Sequence, residues 1–360
     1  MGLTTTPRRL LVVTVVLGLL LAAAGCGPRT AAPVSAGESQ PVQEPAATGQ
    51  DANPPGPPPP AGPTSPLDGL PAGAAKIQRR PIAVMIDNQA DARPQTGLRQ
   101  AEMVYEIPAE GGITRFMAVF LVNTPVVGPV RSARHYFVQL ARELDAVYAH
   151  VGESPQADVE MARLGIPRID DMHGAGGFFR TRDRAPPHND YLDLARAREW
   201  AAARGYEKKD QTPRGPFTFD PDLKPQGRAA ARVVVDIPGS SEGYSVAYNY
   251  DSSSTTYLRY VKGEPHLDLA DGKQVEVTNL VIEYTSIRPI PRDEAGRLDV
   301  DVVGNGRALI FTRGVGYEVK WSKASLSELT RFTDAAGQAV KLAPGLTWIH
   351  VVPLEARIDW

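Results

Sequence analysis

Residues 115–152 read RFMAVFLVNTPVVGPVRSARHYFVQLARELDAVYAHVG, and the order of textures in them decides the fold. The run 115–123 is short, apolar and rich in β-branched and aromatic residues, as a buried strand is. Gly128 and Pro129 break the chain. From about residue 132, Tyr136, Phe137, Leu140, Ala141 and Leu144 then recur on one helical face. Residues 146–152 return to a strand-like run, so the stretch reads as strand, loop, helix, strand.

The alternation continues outward. RPIAVMID (80–87) and AEMVYEIP (101–108) are two more strand-length apolar runs. SPQADVEMARLG (154–165) predicts a helix with Ser154 as N-cap, Pro155 at the first helical position and Gly165 as the stop. LDLARAREWAAARG (192–205) predicts another helix, also closed by glycine. Together these give an α/β domain over 76–210, with a mixed, partly parallel sheet and flanking helices. A polar connector at 208–219 follows. Beyond it come short alternating runs such as ARVVVDI, SVAYNYD, TTYLRYVKG, NLVIEYTSI and TWIHVVP. They predict a smaller, mainly antiparallel β domain over 225–360, with GNG at 304–306 as a tight turn.

The first 26 residues, MGLTTTPRRLLVVTVVLGLLLAAAGC, place Arg8 and Arg9 before an uncharged apolar run that closes on small residues. That is the pattern of a secretory signal, and residues 10–24 are short of the roughly 20 apolar residues a spanning helix needs. Ala23-Ala24-Gly25-Cys26 is similar to the bacterial lipobox, which implies a diacylglycerol-modified Cys26 as the processed N-terminus and a membrane anchor. The alternative is an uncleaved anchor; both readings put the rest of the chain outside the cytoplasm. Cys26 is the only cysteine, so no intramolecular disulfide can form. Residues 27–75 are dominated by Pro, Ala, Gly, Ser and Gln and predict a disordered tether. At about 3.1 Å per residue it would reach about 150 Å. A formal charge of -2 gives no pull toward nucleic acid, so no nucleic-acid partner is expected.

Four stretches carry candidate chemistry. Arg131, Ser132 and Arg134 sit where a helix is expected to begin, a place that favours anions; the alternative is that Ser132 caps the helix and the arginines pair with Glu106 or Glu110. EIPAEGGITRF (106–116) crowds Glu106, Glu110, Thr114 and Arg115 between two strands. Its carboxylates can serve as acid and base or balance nearby arginines. Asp87 and Asn88 follow a strand and suit a ligand site or a turn. FFRTRDRAPPHNDY (178–191) offers Arg180, Arg182, Arg184, His188 and Asn189 as a pocket wall or a solvated basic loop. His150, Ser154 and His188 invite a Ser/His nucleophile, but Ser154 fits an N-cap and no GxSxG is present. His135, His150, His173 and His188 show no HxxxH or HExxH spacing, so no metal is expected, assembly from scattered His and Asp being the alternative. The absence of a P-loop or a strand-linked GxGxxG argues against a nucleotide cofactor.

In order, PIAVMIDNQADARPQTGL, AEMVYEIPAEGGITRF, GPVRSARHYF, AHVGESPQA, APPHNDY and PGLTWIHVVP resemble the YerB-like bacterial lipoproteins, a family defined by a domain of unknown function. The resemblance covers roughly residues 80–353, with Pro108 interrupting an otherwise smooth strand end. It implies a lipid-anchored extracytoplasmic protein with an α/β part and a smaller β part. It implies no reaction and no catalytic residue. Three functions are left open: binding of an anionic or glycan envelope ligand, such as a cell-wall polymer, in an Arg-lined cleft; an envelope hydrolase or transferase using Asp87, Glu106 or Glu110; and a scaffold docking other envelope proteins.

Overall fold

The structure, a computed structural model, describes residues 62–207, 213–240 and 245–360. Cys26, the signal and most of the tether lie outside the described residues.

The first half supplies β1 (Ile82–Ile86), β2 (Met103–Pro108), β3 (Thr114–Phe120), α1 (His135–Glu143), β4 (Val147–His150), α2 (Pro155–Leu164), β5 (Arg168–Asp170), β6 (Asp190–Asp193) and α3 (Leu194–Ala203). The second supplies β7 (Arg232–Asp236), β8 (Val246–Asp251), β9 (Thr256–Val261), β10 (Asn279–Thr285), β11 (Gly304–Thr312), β12 (Val315–Lys323) and β13 (Thr347–Pro353). An eleven-stranded mixed sheet runs from Arg228–Ala229 through β12, β11, β10, β13, β2, β3, β1 and β4 to β5, with Arg331–Thr333 pairing β12 off this path. β1, β4 and β5 are mutually parallel, as are β2, β13 and β10. A second, antiparallel sheet is built around β9, β8 and β7.

β1 shows why the strands in the middle of the sheet are apolar throughout. Ile82, Val84 and Ile86 face a core shared with α3 and the second sheet, while Ala83 and Met85 face one covered by Tyr136, Phe137, Leu140 and Ala141 of α1. Both faces are buried, so alternation gives way to a continuous hydrophobic run. α2 forms as its sequence directs: Ser154 Oγ accepts from Ala157 N, Pro155 opens the helix, and Gly165 leaves it with φ 58°.

Several expectations need correction. The break at 210–225 is not a break in packing, because the described residues belong to one compact unit and β13, near the chain's end, lies between β2 and β10. The C-terminal part is mainly antiparallel, as expected, with β13 the exception, parallel to both neighbours. Folded structure also begins before residue 76. Leu67 is buried among Phe217 and Leu342, and Thr64 bridges to Pro71. GNG lies inside β11 rather than at a turn, pairing with Lys323, Ser322 and Trp321 of β12, and a Cβ at Gly306 would meet the Trp321 indole Nε1 at 2.6 Å. The tight turn is at Arg313 and Gly314, both with positive φ, as a two-residue hairpin requires.

Candidate functional site

β1, β4 and β5 end on one side of the sheet, and the crevice beyond the carboxyl ends of parallel strands is where this topology builds sites. Pairing of β1 with β4 stops at Val84 opposite Ala149. Beyond that point residues 131–133 lie between the two strands as a strap. Arg131 N donates to Met85 O, Val151 N to Arg131 O, Ala133 N to Gly152 O and Ser154 N to Ala133 O, at 3.0 to 3.2 Å. Gly128 leads into the strap across a cis peptide to Pro129 with φ 158°. A Cβ there would meet Tyr191 Cδ1 at 2.7 Å and Asp190 O at 3.0 Å, so the position accepts only glycine.

The strap corrects the expected helix start. α1 begins at His135, Arg134 is its N-cap residue without a side-chain cap, and the Arg131 N–H is bonded to the sheet. Ser132 caps nothing; its carbonyl accepts from Arg115 Nη1 at 2.8 Å.

Asp87, wholly buried, follows β1 and organises the crevice. Its Oδ2 accepts from His188 Nδ1 at 2.8 Å and lies 3.1 Å from Arg131 Nε, while Oδ1 accepts from Gln89 N at 3.0 Å. The Arg131 and His188 side chains remain 23% and 12% exposed. Further along, Arg180 Nη2 pairs with Asp190 Oδ2 at 2.7 Å and with Asp171 Oδ2 at 3.1 Å. Burial, followed by the charge of Asp171, pushes the Asp190 carboxyl up to about 7. Asn189 stands apart: its Nδ2 donates to Thr181 O and ties down its own loop.

At the end of β4, His150 Nδ1 lies 2.9 Å from Gly152 O and 3.7 Å from both Glu153 Oε2 and Asp170 Oδ1. One ligand atom from each of His150, Glu153 and Asp170 falls within 4.8 Å of the others. Exclusion of a metal by spacing addressed only local motifs, whereas these donors come from two strand ends and a loop.

The remaining sequence candidates do not reach the crevice. Arg134 donates through Nε to Glu110 Oε2 at 2.9 Å and through Nη2 to Oε1, and Arg115 Nη2 approaches the same carboxylate at 3.4 Å. Burial pushes Glu110 up, but the Arg134 hydrogen bonds and both guanidinium charges hold it down at about 2. Glu106 lies deep in the sheet: Oε2 accepts from Arg259 Nη2 at 2.8 Å and Trp348 Nε1 at 2.9 Å, and Oε1 accepts from Thr114 Oγ1 at 2.8 Å. Burial again works against ionisation, but the charges of Arg259 and His350 and the hydrogen bonds from Thr114 and Arg259 together outweigh it, leaving Glu106 at about 2. Both carboxylates are held as anions by arginine, the opposite of what an acid–base role requires. Asn88 belongs to this interior network as well, donating to Thr114 Oγ1 at 2.7 Å and accepting from Gln95 Nε2 at 3.0 Å. The network continues through His266, which bridges Gln95 and Arg259, and through Tyr248 to His350.

Residues 67–207 match the N-terminal domain of a protein of unknown function, DUF3048, and residues 235–349 match the C-terminal domain of the same family. YerB of Bacillus subtilis (strain 168), provisionally named a lipoprotein, is 36% identical over 292 residues, spanning 80% of this chain and 86% of that protein. This chain belongs to the YerB-like DUF3048 family. A crystal structure of the YerB protein from Bacillus subtilis is similar with a TM-score of 0.73 and 35% identity, covering 82% of this chain and 99% of that one. In YerB-like terms, every residue of the crevice lies in the N-terminal family domain. The Glu106 network, by contrast, joins that domain to Tyr248, Arg259, His266 and Trp348 of the C-terminal one. Sequence reading missed Asp170, Glu153, Asp190 and Arg259. Of these, only Glu153 carried a local signal, standing three residues after His150.

Proposed function

We propose that this chain is a lipid-anchored, extracytoplasmic envelope protein that binds an acidic cell-wall ligand at the strand-end crevice. The anchor reading rests on the lipobox-like segment ending at Cys26 and on a relative named as a lipoprotein. Among the described residues no helix is long and apolar enough to cross a membrane. One observation carries the binding reading: one oxygen of the buried Asp87 hydrogen-bonds the partly exposed His188 and lies 3.1 Å from Nε of the partly exposed Arg131 as an ion pair. A fixed carboxylate that orients a guanidinium and an imidazole prepares both for a carboxylate or phosphate without further ordering. Arg115 and Arg134, taken up by Glu110, no longer belong to this cleft.

The test is binding of the full chain in detergent to purified peptidoglycan and to wall-polymer fractions. Arg131→Ala is expected to weaken retention at least about tenfold, the loss of a charge-assisted contact. Unchanged retention would overturn the reading.

A further inference from the structure

We infer that His150, Glu153 and Asp170, with the Gly152 carbonyl, form a binding site for a divalent first-row metal ion, zinc held more tightly than manganese. The site is distinct from the Arg131–His188 cluster and stands whether or not that cluster binds an acidic ligand.

The geometry is close to that of a coordination shell. Donors about 2.1 Å from a common ion sit about 3.0 Å apart at right angles and about 3.4 Å apart at the tetrahedral angle. His150 Nδ1 has three oxygens around it at 2.9, 3.7 and 3.7 Å, and the three side-chain ligand atoms lie within 4.8 Å of one another, so closing onto an ion draws the carboxylates inward. One donor has no other partner, although His150 Nδ1 already contacts Gly152 O and Asp170 Oδ1 accepts from two backbone amides. Glu153 Oε2 is buried without a hydrogen-bond partner, and His150 is fully buried with Nε2 unpartnered. Buried polar atoms are ordinarily satisfied, and a cation would satisfy the carboxylate.

Supporting contacts are already in place. Asp170 Oδ1 accepts from Gly152 N at 3.2 Å and Met172 N at 3.1 Å, and Oδ2 lies 2.5 Å from His173 Nδ1. Outer contacts of this kind orient metal-binding carboxylates. The exposed ring of His173 and the partly exposed Glu153 leave an entry path. One imidazole with three oxygens suits zinc or manganese, and the Irving–Williams order places zinc ahead.

The full chain, purified in detergent and stripped with a chelator, would be titrated calorimetrically with zinc chloride and manganese chloride. One equivalent of zinc is expected to bind more tightly than manganese and to raise Tm. Glu153→Gln, a substitution at the open edge of the site, is expected to keep the metal-free Tm and lose at least about tenfold in affinity. His150→Gln is expected to lose as much. Anomalous diffraction at the zinc edge should place the ion about 2.0–2.1 Å from His150 Nδ1. Absence of one-equivalent binding would sink the proposal. So would affinity unchanged in Glu153→Gln, or loss only in His173→Ala, which marks an adventitious surface histidine.

Discussion

Glu106 Oε2 and Arg259 Nη2 lie 2.8 Å apart with neither side chain reaching solvent, and 153 residues of chain separate them. The pair joins the two family domains across two sheets, Glu106 on β2 of the large mixed sheet and Arg259 on β9 of the second. Both partners are further satisfied: Glu106 by Thr114 and Trp348, Arg259 by Tyr248 and His266. A buried ion pair so surrounded tolerates little, because removing one partner strands the other charge.

Arg259→Met is therefore expected to destabilise the protein by about 3–5 kcal/mol in urea denaturation. Adding Glu106→Gln should recover part of that loss by removing the stranded charge. Both halves should unfold in a single transition. Two resolved transitions would show that the network does not bind the halves together.

Glu283 makes a pH prediction of definite sign. Burial, reinforced by the charge of Glu143, pushes its carboxyl from 4.5 up to about 8, while Lys323 is paired with Glu143 at 2.5 Å. The native state thus keeps a proton that the unfolded state releases above 4.5, so this group makes stability fall as pH rises from about 4.5 to about 8. Glu283→Gln removes that slope. Its stability relative to the parent should increase steadily across the interval and level off above it, measured by denaturant midpoint at each pH. A constant difference would show that Glu283 ionises normally.

Much of the first half was legible in sequence because its signals are local. Ser154, Pro155 and Gly165 set α2 by hydrogen bonding and backbone geometry within a dozen residues. The face Tyr136, Phe137, Leu140 is buried as its spacing indicates. The position of β13 was not legible, since TWIHVVP carries no mark of which strands flank it, and pairing with β2 closes a loop of more than two hundred residues. The same applies to the site. Asp87 was nominated from a strand end, Arg131 from an expected helix start and His188 from loop composition, but which arginines would remain accessible depended on Glu110, whose carboxylate takes Arg134 and Arg115. Asp170 carried no signal, because its partner His150 is reached only through the β4–β5 register.

The division among the arginines is itself testable. Arg134→Ala strips Glu110 of its main partner and is expected to cost about 1–3 kcal/mol at neutral pH. The Glu110 carboxyl is held at about 2 in the native state, so this stabilisation is present above 4.5 and is lost as pH falls toward 2. The deficit of Arg134→Ala should shrink over the same interval. Arg131→Ala should change stability less, because Asp87 keeps His188 and the Gln89 amide. Equal deficits in the two variants at neutral pH would mean that Arg131 is as structural as Arg134.

Gly128 ties the strap to the loop that carries His188. Val130 N donates to Asp190 O at 2.7 Å and Asp87 N to Pro129 O at 2.9 Å, so the chain around Gly128 positions both sides of the Asp87 cluster. Alanine at 128 would drive a methyl into Tyr191 Cδ1 at 2.7 Å and Asp190 O at 3.0 Å. Overpacking of this kind costs about 1–3 kcal/mol, and the displaced strap would carry Arg131 with it, so wall-polymer retention should fall together with Tm. Tyr191→Ala opens the space on the side-chain side, and the pair Gly128→Ala with Tyr191→Ala should be less destabilised than the sum of the single variants. Strict additivity would place the obstruction at the Asp190 carbonyl, which no side-chain change relieves.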